Sequence, residues 1–294
     1  MPGAKELKDR IKAVQETRKI TNAMYLISST RLRRAKVDYA ETQPYFDALR
    51  AEIGRILGAA GGYESRYLCD GGAPNASGAC GVLVFTSDKG LAGAYNVNVL
   101  REAEALLREK PDARVFVVGD CGRRYFALHG RQATFLSAAQ SPTEDSARRL
   151  AAPLLDAYDS GELNELVVLY TDMKNSLVSL PVSQRLLPLP RAALGAEAER
   201  LELVPSADAV VDAVVRSYIG GFLYAAALGS YCAEQNARVA AMDAANGNAQ
   251  ELLDALSLQL NRTRQGAITR EITEISAGAQ AQRNANRKKG GAQA

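Results

Sequence analysis

The side chains that could carry chemistry are few and scattered. His129 is the only histidine, so a histidine-based metal cluster is excluded and a Ser-His-Asp triad could form around one position alone. The four cysteines, Cys69, Cys80, Cys121 and Cys232, include no CxxC pair, which argues against a zinc ribbon and a disulfide framework. Cys69 and Cys80 flank a glycine-rich stretch and are the one pair spaced for redox chemistry. Ser87-Asp88-Lys89-Gly90 with Gly93 has the lysine and glycines of a phosphate loop but not GxxxxGK[ST]. Gly119-Asp120-Cys121-Gly122 follows an apolar run but lacks GxGxxG. Both read as strand-to-helix turns. A nucleotide-binding enzyme is what the middle of the chain alone would suggest; titration calorimetry with ATP or NAD separates the two readings, and no heat is expected.

The densest charge lies near the start. Between Lys5 and Lys36 stand ten basic residues against three acidic ones, with Arg31, Arg33 and Arg34 forming a collar. Such a cluster attracts acidic surfaces at long range, and arginine pairs bidentately with carboxylates. The plainer reading is a solvated helix face. A third reading is a helix lining phosphates, which steeply salt-dependent DNA binding would reveal. The whole chain carries only +3, has no tryptophan and is 6% aromatic, so base-stacking platforms are not expected.

Proline placement divides the elements that must position these groups. Eight of ten prolines fall between residues 74 and 205, with none from 3 to 43 and none after Pro205. Proline in a helix interior costs about 3 kcal/mol, so both ends are free to be long helices. Leu7, Ile11, Val14, Ile20, Met24 and Ile27, then Leu32 and Val37, form an apolar stripe broken at Arg18 and Thr21. In the last third Val210, Val211, Val214, Val215, Tyr218, Ile219, Phe222 and Leu223 are followed by Leu252, Leu253, Leu256, Leu260, Ile268, Ile272 and Ile275. Ser206 is placed as its N-cap. The uncharged run Ser217 to Ala233 is 17 residues long, short of the roughly 20 that span a bilayer, and is expected to be buried in protein.

The middle has short β-branched runs at 81–86, 114–119 and 165–170, separated by helical patterns at 98–110 and from 141 to Gly161. Ser141-Pro142-Thr143-Glu144 reads as a capping box with proline at the first helical position. That alternation predicts a parallel sheet with helices on its faces. The expected fold is α/β plus long helices: an antiparallel coiled coil of N- and C-terminal helices with an inserted Rossmann-like α/β domain. The boundaries are a first helix over 1–58, a flexible link over 59–80, an α/β foot over 81–204, a second helix over 205–282 and a disordered tail over 283–294. No apolar leader follows Met1, so the chain is expected to stay in the compartment where it is made.

Three segments carry a resemblance. Lys5 to Ile11 and Val14 to Met24, Ser87-Asp88-Lys89-Gly90-Leu91-Ala92-Gly93-Ala94-Tyr95-Asn96, and Ala240 to Ala249 with Asn261 to Ile275 resemble the γ subunit of F-type ATP synthases, at both ends and in the foot. The resemblance implies a central-stalk rotor, turned by proton flow through a membrane c ring. It further implies three α and three β subunits as a sleeve, an ε subunit beside the foot, and no catalytic residue, cofactor, metal or nucleic acid of its own. Membrane association would come only through the complex, on the cytoplasmic side of a bacterial plasma membrane. Positions matching the family's ring contacts are Met24, Arg238, Arg264, Gln265, Thr269 and Glu271. Contact with the c ring would fall in 191–204, where the match is poor and no residue is named. No counterpart of the chloroplast regulatory dithiol is found.

Overall fold

Long proline-poor ends become single helices in the computed structural model, which describes residues 3–59, 65–69, 78–173, 178–190, 204 and 206–290. Helix α1 spans Ala4–Ala59 and the last helix, α5, Ala207–Gly290. Helix α1 continues through Pro44. Helix α5 starts where expected, with Ser206 Oγ accepting from the Ala209 amide at 3.3 Å. It does not stop at 282: the alanine, glutamine, arginine and lysine residues beyond are compatible with helix, and it runs through Gly290, the last described residue. The rest of the expected tail, and most of 191–204, lie outside the described residues.

Between the two helices stand β1 (Leu68–Cys69), β2 (Ala79–Phe85), α2 (Tyr95–Glu109), β3 (Arg114–Val118), α3 (Asp120–Leu128) and β4 (Ala133–Ser137). They are followed by α4 (Glu144–Asp159), β5 (Leu163–Met173), β6 (Ser179–Leu187) and β7 (Leu189–Pro190). The main sheet has the order β4-β3-β2-β5-β6. The predicted strands pair in parallel, Val82 with Val115 and Val167. Two strands of this sheet escaped the sequence reading, as did the short pair β1 and β7. Strand β4 has only two apolar side chains beyond alanine, and Phe135 is exposed. Strand β6 contains Pro181 and runs antiparallel at the sheet edge, where a missing amide is tolerated.

The helix α4 cap also differs from expectation. Thr143, not Ser141, is the N-cap, and it exchanges hydrogen bonds with Ser146. The box therefore sits two residues later, with Pro142 outside the helix. Its end is as read: Gly161 follows the C-cap with φ +79° and donates to the Tyr158 carbonyl.

The chain divides into two units, one of Leu26–Ala241 and one of Met1–Tyr25 with Met242–Ala294. In the first, alternate side chains of β2 enter two cores. Val82 and Val84 meet Val99, Ala103 and Leu107 of α2 on one face. Leu83 and Phe85 meet Leu154 of α4, Ile53 of α1, and Val215, Ile219 and Leu223 of α5 on the other. The uncharged run thus faces protein, as expected. The foot is larger than 81–204, because both long helices supply part of its core.

The link at 59–80 is packed in part. Strand β1 pairs with β7, and Tyr67 is fully buried, donating its hydroxyl to Asp159 and stacking on Tyr158. Burial, then the Asp159 carboxylate, push the Tyr67 phenol up to about 12. The unfolded phenol loses its proton near pH 10, so this contribution is complete below that and is lost as pH rises toward 12. We expect Tyr67→Phe to remove part of the fall in urea-unfolding stability between about pH 9 and about pH 11. An unchanged fall would locate it elsewhere.

In the second unit the stripe follows a stricter spacing than the apolar residues suggested. The inward positions are Ala4, Leu7, Ile11, Val14 and Thr21, answered on α5 by Met242, Asn246, Ala249, Leu253, Leu256 and Leu260. These alternate three- and four-residue steps mark a coiled-coil seam. Ile20, placed in the stripe by type, is 63% exposed. The two polar breaks are pairing positions: Arg18 donates to Gln250 and Thr21 to Asn246. The helices are therefore antiparallel, and the polar pairs disfavour a slipped register. In the larger unit Ile27 and Val37 likewise point outward, while Leu32 and Ala35 pack with Leu228 and Cys232.

Candidate functional site

A doubly wound sheet binds ligands beyond its strand C-termini, where the winding changes direction. Here that point lies between β2 and β5, since the chain leaves β2 toward β3 on one side and returns to β5 on the other. Side chains of α5 occupy it. Ser230 Oγ accepts from the Thr171 amide at 3.1 Å. Arg238 pairs with Glu234 at 2.7 Å, both side chains 8% exposed, and donates to the carbonyls of Lys89 at 3.1 Å and Gly90 at 3.3 Å. Burial pushes the Glu234 carboxyl upward, opposed by Arg238. Burial likewise raises the Tyr95 hydroxyl, with Glu234 adding to the rise.

The loop after β2 is tied down throughout. Ser87 bonds to Asn96 through both backbone and hydroxyl and donates to the Lys89 carbonyl. Asp88 accepts from the Asp120 and Ala139 amides. A phosphate would need the amides at the α3 N-terminus, yet Asp120 donates to Asp88, Cys121 to the Ser87 carbonyl and Gly122 to Thr86 Oγ1. The loop itself fills the cradle. A hollow of about 460 Å³ opens beside it, walled by Thr86, Ser137, Gln140, Tyr231 and Glu234 among others. At the loop's tip Leu91 is 63% exposed at φ +65°, a conformation costly for a branched side chain.

The remaining candidates divide by unit. Arg264, Gln265, Thr269 and Glu271 lie on consecutive turns of α5 in a stretch, 264–282, in which every side chain is exposed. Ile268, Ile272 and Ile275 are there 52%, 59% and 67% exposed. Met24, in the same unit, is half-buried. Arg31, Arg33 and Arg34 are exposed in the larger unit, whereas Arg238 is turned inward. Sequence reasoning missed Ser230, Glu234 and Leu91; a Glu-Arg pair four residues apart next to an uncharged helical run was the available signal.

The thiols Cys69 and Cys80 stand beside different cations, Arg185 and Lys110. Burial, then Glu165, push the Cys80 thiol up to about 12, far from a reactive thiolate. Among the described residues no group of acidic, histidine and cysteine side chains is placed to hold a metal.

Long N- and C-terminal helices, paired antiparallel in one unit, with a doubly wound α/β insertion in the other define the class of protein. The ATP synthase family model matches residues 3–282. An ATP synthase gamma chain of Caldanaerobacter subterraneus subsp. tengcongensis is 38% identical over 94% of this chain and 99% of its own. That of Ruminiclostridium cellulolyticum is 36% identical over 94% and 98%. The chain belongs to the gamma chain family of ATP synthases. The fold is that of the rotor of the Euglena gracilis mitochondrial ATP synthase, with TM-score 0.66, 14% identity and coverage of 90% and 98%. The Tetrahymena thermophila central stalk gives 0.58, 21%, 77% and 99%.

Proposed function

We propose that this subunit is the turning shaft of a rotary ATP synthase. It couples proton flow through a membrane c ring to ATP synthesis and hydrolysis at β subunits, and influences ATPase rate, while making and breaking no bonds itself. Its partners in this reading are three α and three β subunits around the helices, with ε and the c ring at the foot. It holds no cofactor and is a peripheral protein on the cytoplasmic face of a bacterial plasma membrane. The observation that carries the reading is the stretch 264–282, exposed on all sides with three large isoleucines uncovered, an apolar load that calls for a surrounding sleeve. Arg264, Gln265, Thr269 and Glu271 are then sleeve contacts, and Arg31, Arg33 and Arg34 a collar facing acidic loops. The occupied α3 amides support a subunit that takes no nucleotide phosphate at this turn.

The test is reassembly of the full chain with α and β subunits, followed by return to c-ring-containing vesicles. Arg264→Ala with Gln265→Ala is expected to lower proton pumping at least about tenfold, equivalent to one charged contact. Exchange protection of the sheet should stay unchanged. Charge reversal at Arg31, Arg33 and Arg34 should weaken pumping per ATP hydrolysed. Failure of the wild-type chain to join α and β subunits would end this reading.

A further inference from the structure

We infer that Arg238 is a positioning residue that acts through the loop after β2 and not by touching a partner. The inference rests on the rotor reading only for its effect on coupling. A side chain 8% exposed has little surface left for another subunit, and both its terminal nitrogens are already engaged. One nitrogen faces Glu234 and the other spans two successive carbonyls, Lys89 and Gly90. Those carbonyls immediately precede Leu91, whose backbone is strained and whose side chain projects into solvent. A strained residue persists only where its surroundings over-determine it. From below, Ala92, Tyr95, Ala233 and Ala237 pack together; from the side, Ser87 and Asn96 brace the turn. Arg238 supplies the remaining hold, and only a planar fork with several donors can reach two carbonyls and a carboxylate together. It thereby joins α5 to the crevice of the sheet and sets the pose in which Leu91 is presented.

Amide exchange in the full-length chain tests this first. The reporters are Ser87, Tyr95 and Asp120, whose amides bond to Asn96, the Ala92 carbonyl and Asp88. In Arg238→Met their protection is expected to fall at least about tenfold further than that of the β3 amides, which report the general loss of stability from leaving Glu234 without its counter-charge. In Arg238→Lys the acceleration should be smaller; that variant also serves if the methionine chain does not fold. In the reassembled synthase, Leu91→Ala should reproduce the loss of pumping per ATP seen in Arg238→Met. The double variant should be no worse than Leu91→Ala alone. Protection at the three reporters that falls no further than at the β3 amides would overturn the inference, whatever happens to coupling. So would additive losses in the double variant, the mark of an independent contact. If the chain does not assemble with α and β subunits the rotor reading fails, but the exchange result still decides the role of Arg238.

Discussion

Gly119→Ala is expected to cost the α/β domain roughly 3–5 kcal/mol, combining backbone strain with an overpacked site. Gly119 closes β3 and opens α3 at φ +94°. An added methyl would lie 2.6 Å from the Thr86 carbonyl carbon and 2.7 Å from Thr86 Oγ1. Neither neighbour can yield. Thr86 is 2% exposed, and its hydroxyl donates to the Val118 carbonyl at 2.8 Å while accepting from the Gly122 amide at 2.9 Å. A shift would break the links between β2, β3 and α3 together. Gly130 provides the control, since it too has a positive φ, +67°, but no atom within 4 Å of an added methyl. Gly130→Ala should therefore cost about 1 kcal/mol, the conformational part alone. Urea titration of the full chain, read by exchange of the β2 and β3 amides, measures both. Equal losses would mean that close approach to Thr86 contributes nothing.

That glycine illustrates where sequence is informative. Gly119-Asp120-Cys121-Gly122 was readable as a strand-to-helix turn, because an apolar β-branched run must end before a helix can begin. Which atoms fill the turn was not readable, because Thr86 comes from the loop just after a different strand, β2. The same division recurs along the shaft. Two helices follow from proline placement, but the inward face was misjudged where hydrophobicity alone was followed. Ile20 is apolar and faces out, while Thr21 is polar and faces in. The energy that makes this tolerable, a partner at Asn246, lies 225 residues away. Strand β6 was hidden by Pro181, which only an edge position accepts. Arg238 could be matched to a family position, yet its burial depends on the β2 loop folding back on α5, a contact between segments 148 and 149 residues apart.

The second large effect concerns the partner of that arginine. Glu234→Ala should destabilise the larger unit by about 3–5 kcal/mol, because it strands a buried guanidinium without its counter-charge. The pair itself is not a source of great stability. Burial raises the Glu234 carboxyl despite Arg238 beside it, so desolvation outweighs the attraction on the carboxylate. Replacing both together, Glu234→Met with Arg238→Met, should consequently recover most of the loss, as expected when an ion pair gives way to apolar side chains of similar bulk. Glu234→Gln should fall between, keeping an oxygen for the guanidinium but not the charge. Urea unfolding read at the sheet amides gives the ranking, and a double variant no more stable than Glu234→Ala would refute it. If the ranking holds, a well-folded double variant with a loosened Leu91 loop separates the two roles of the pair: stability is nearly indifferent to it, and the pose of the loop is not.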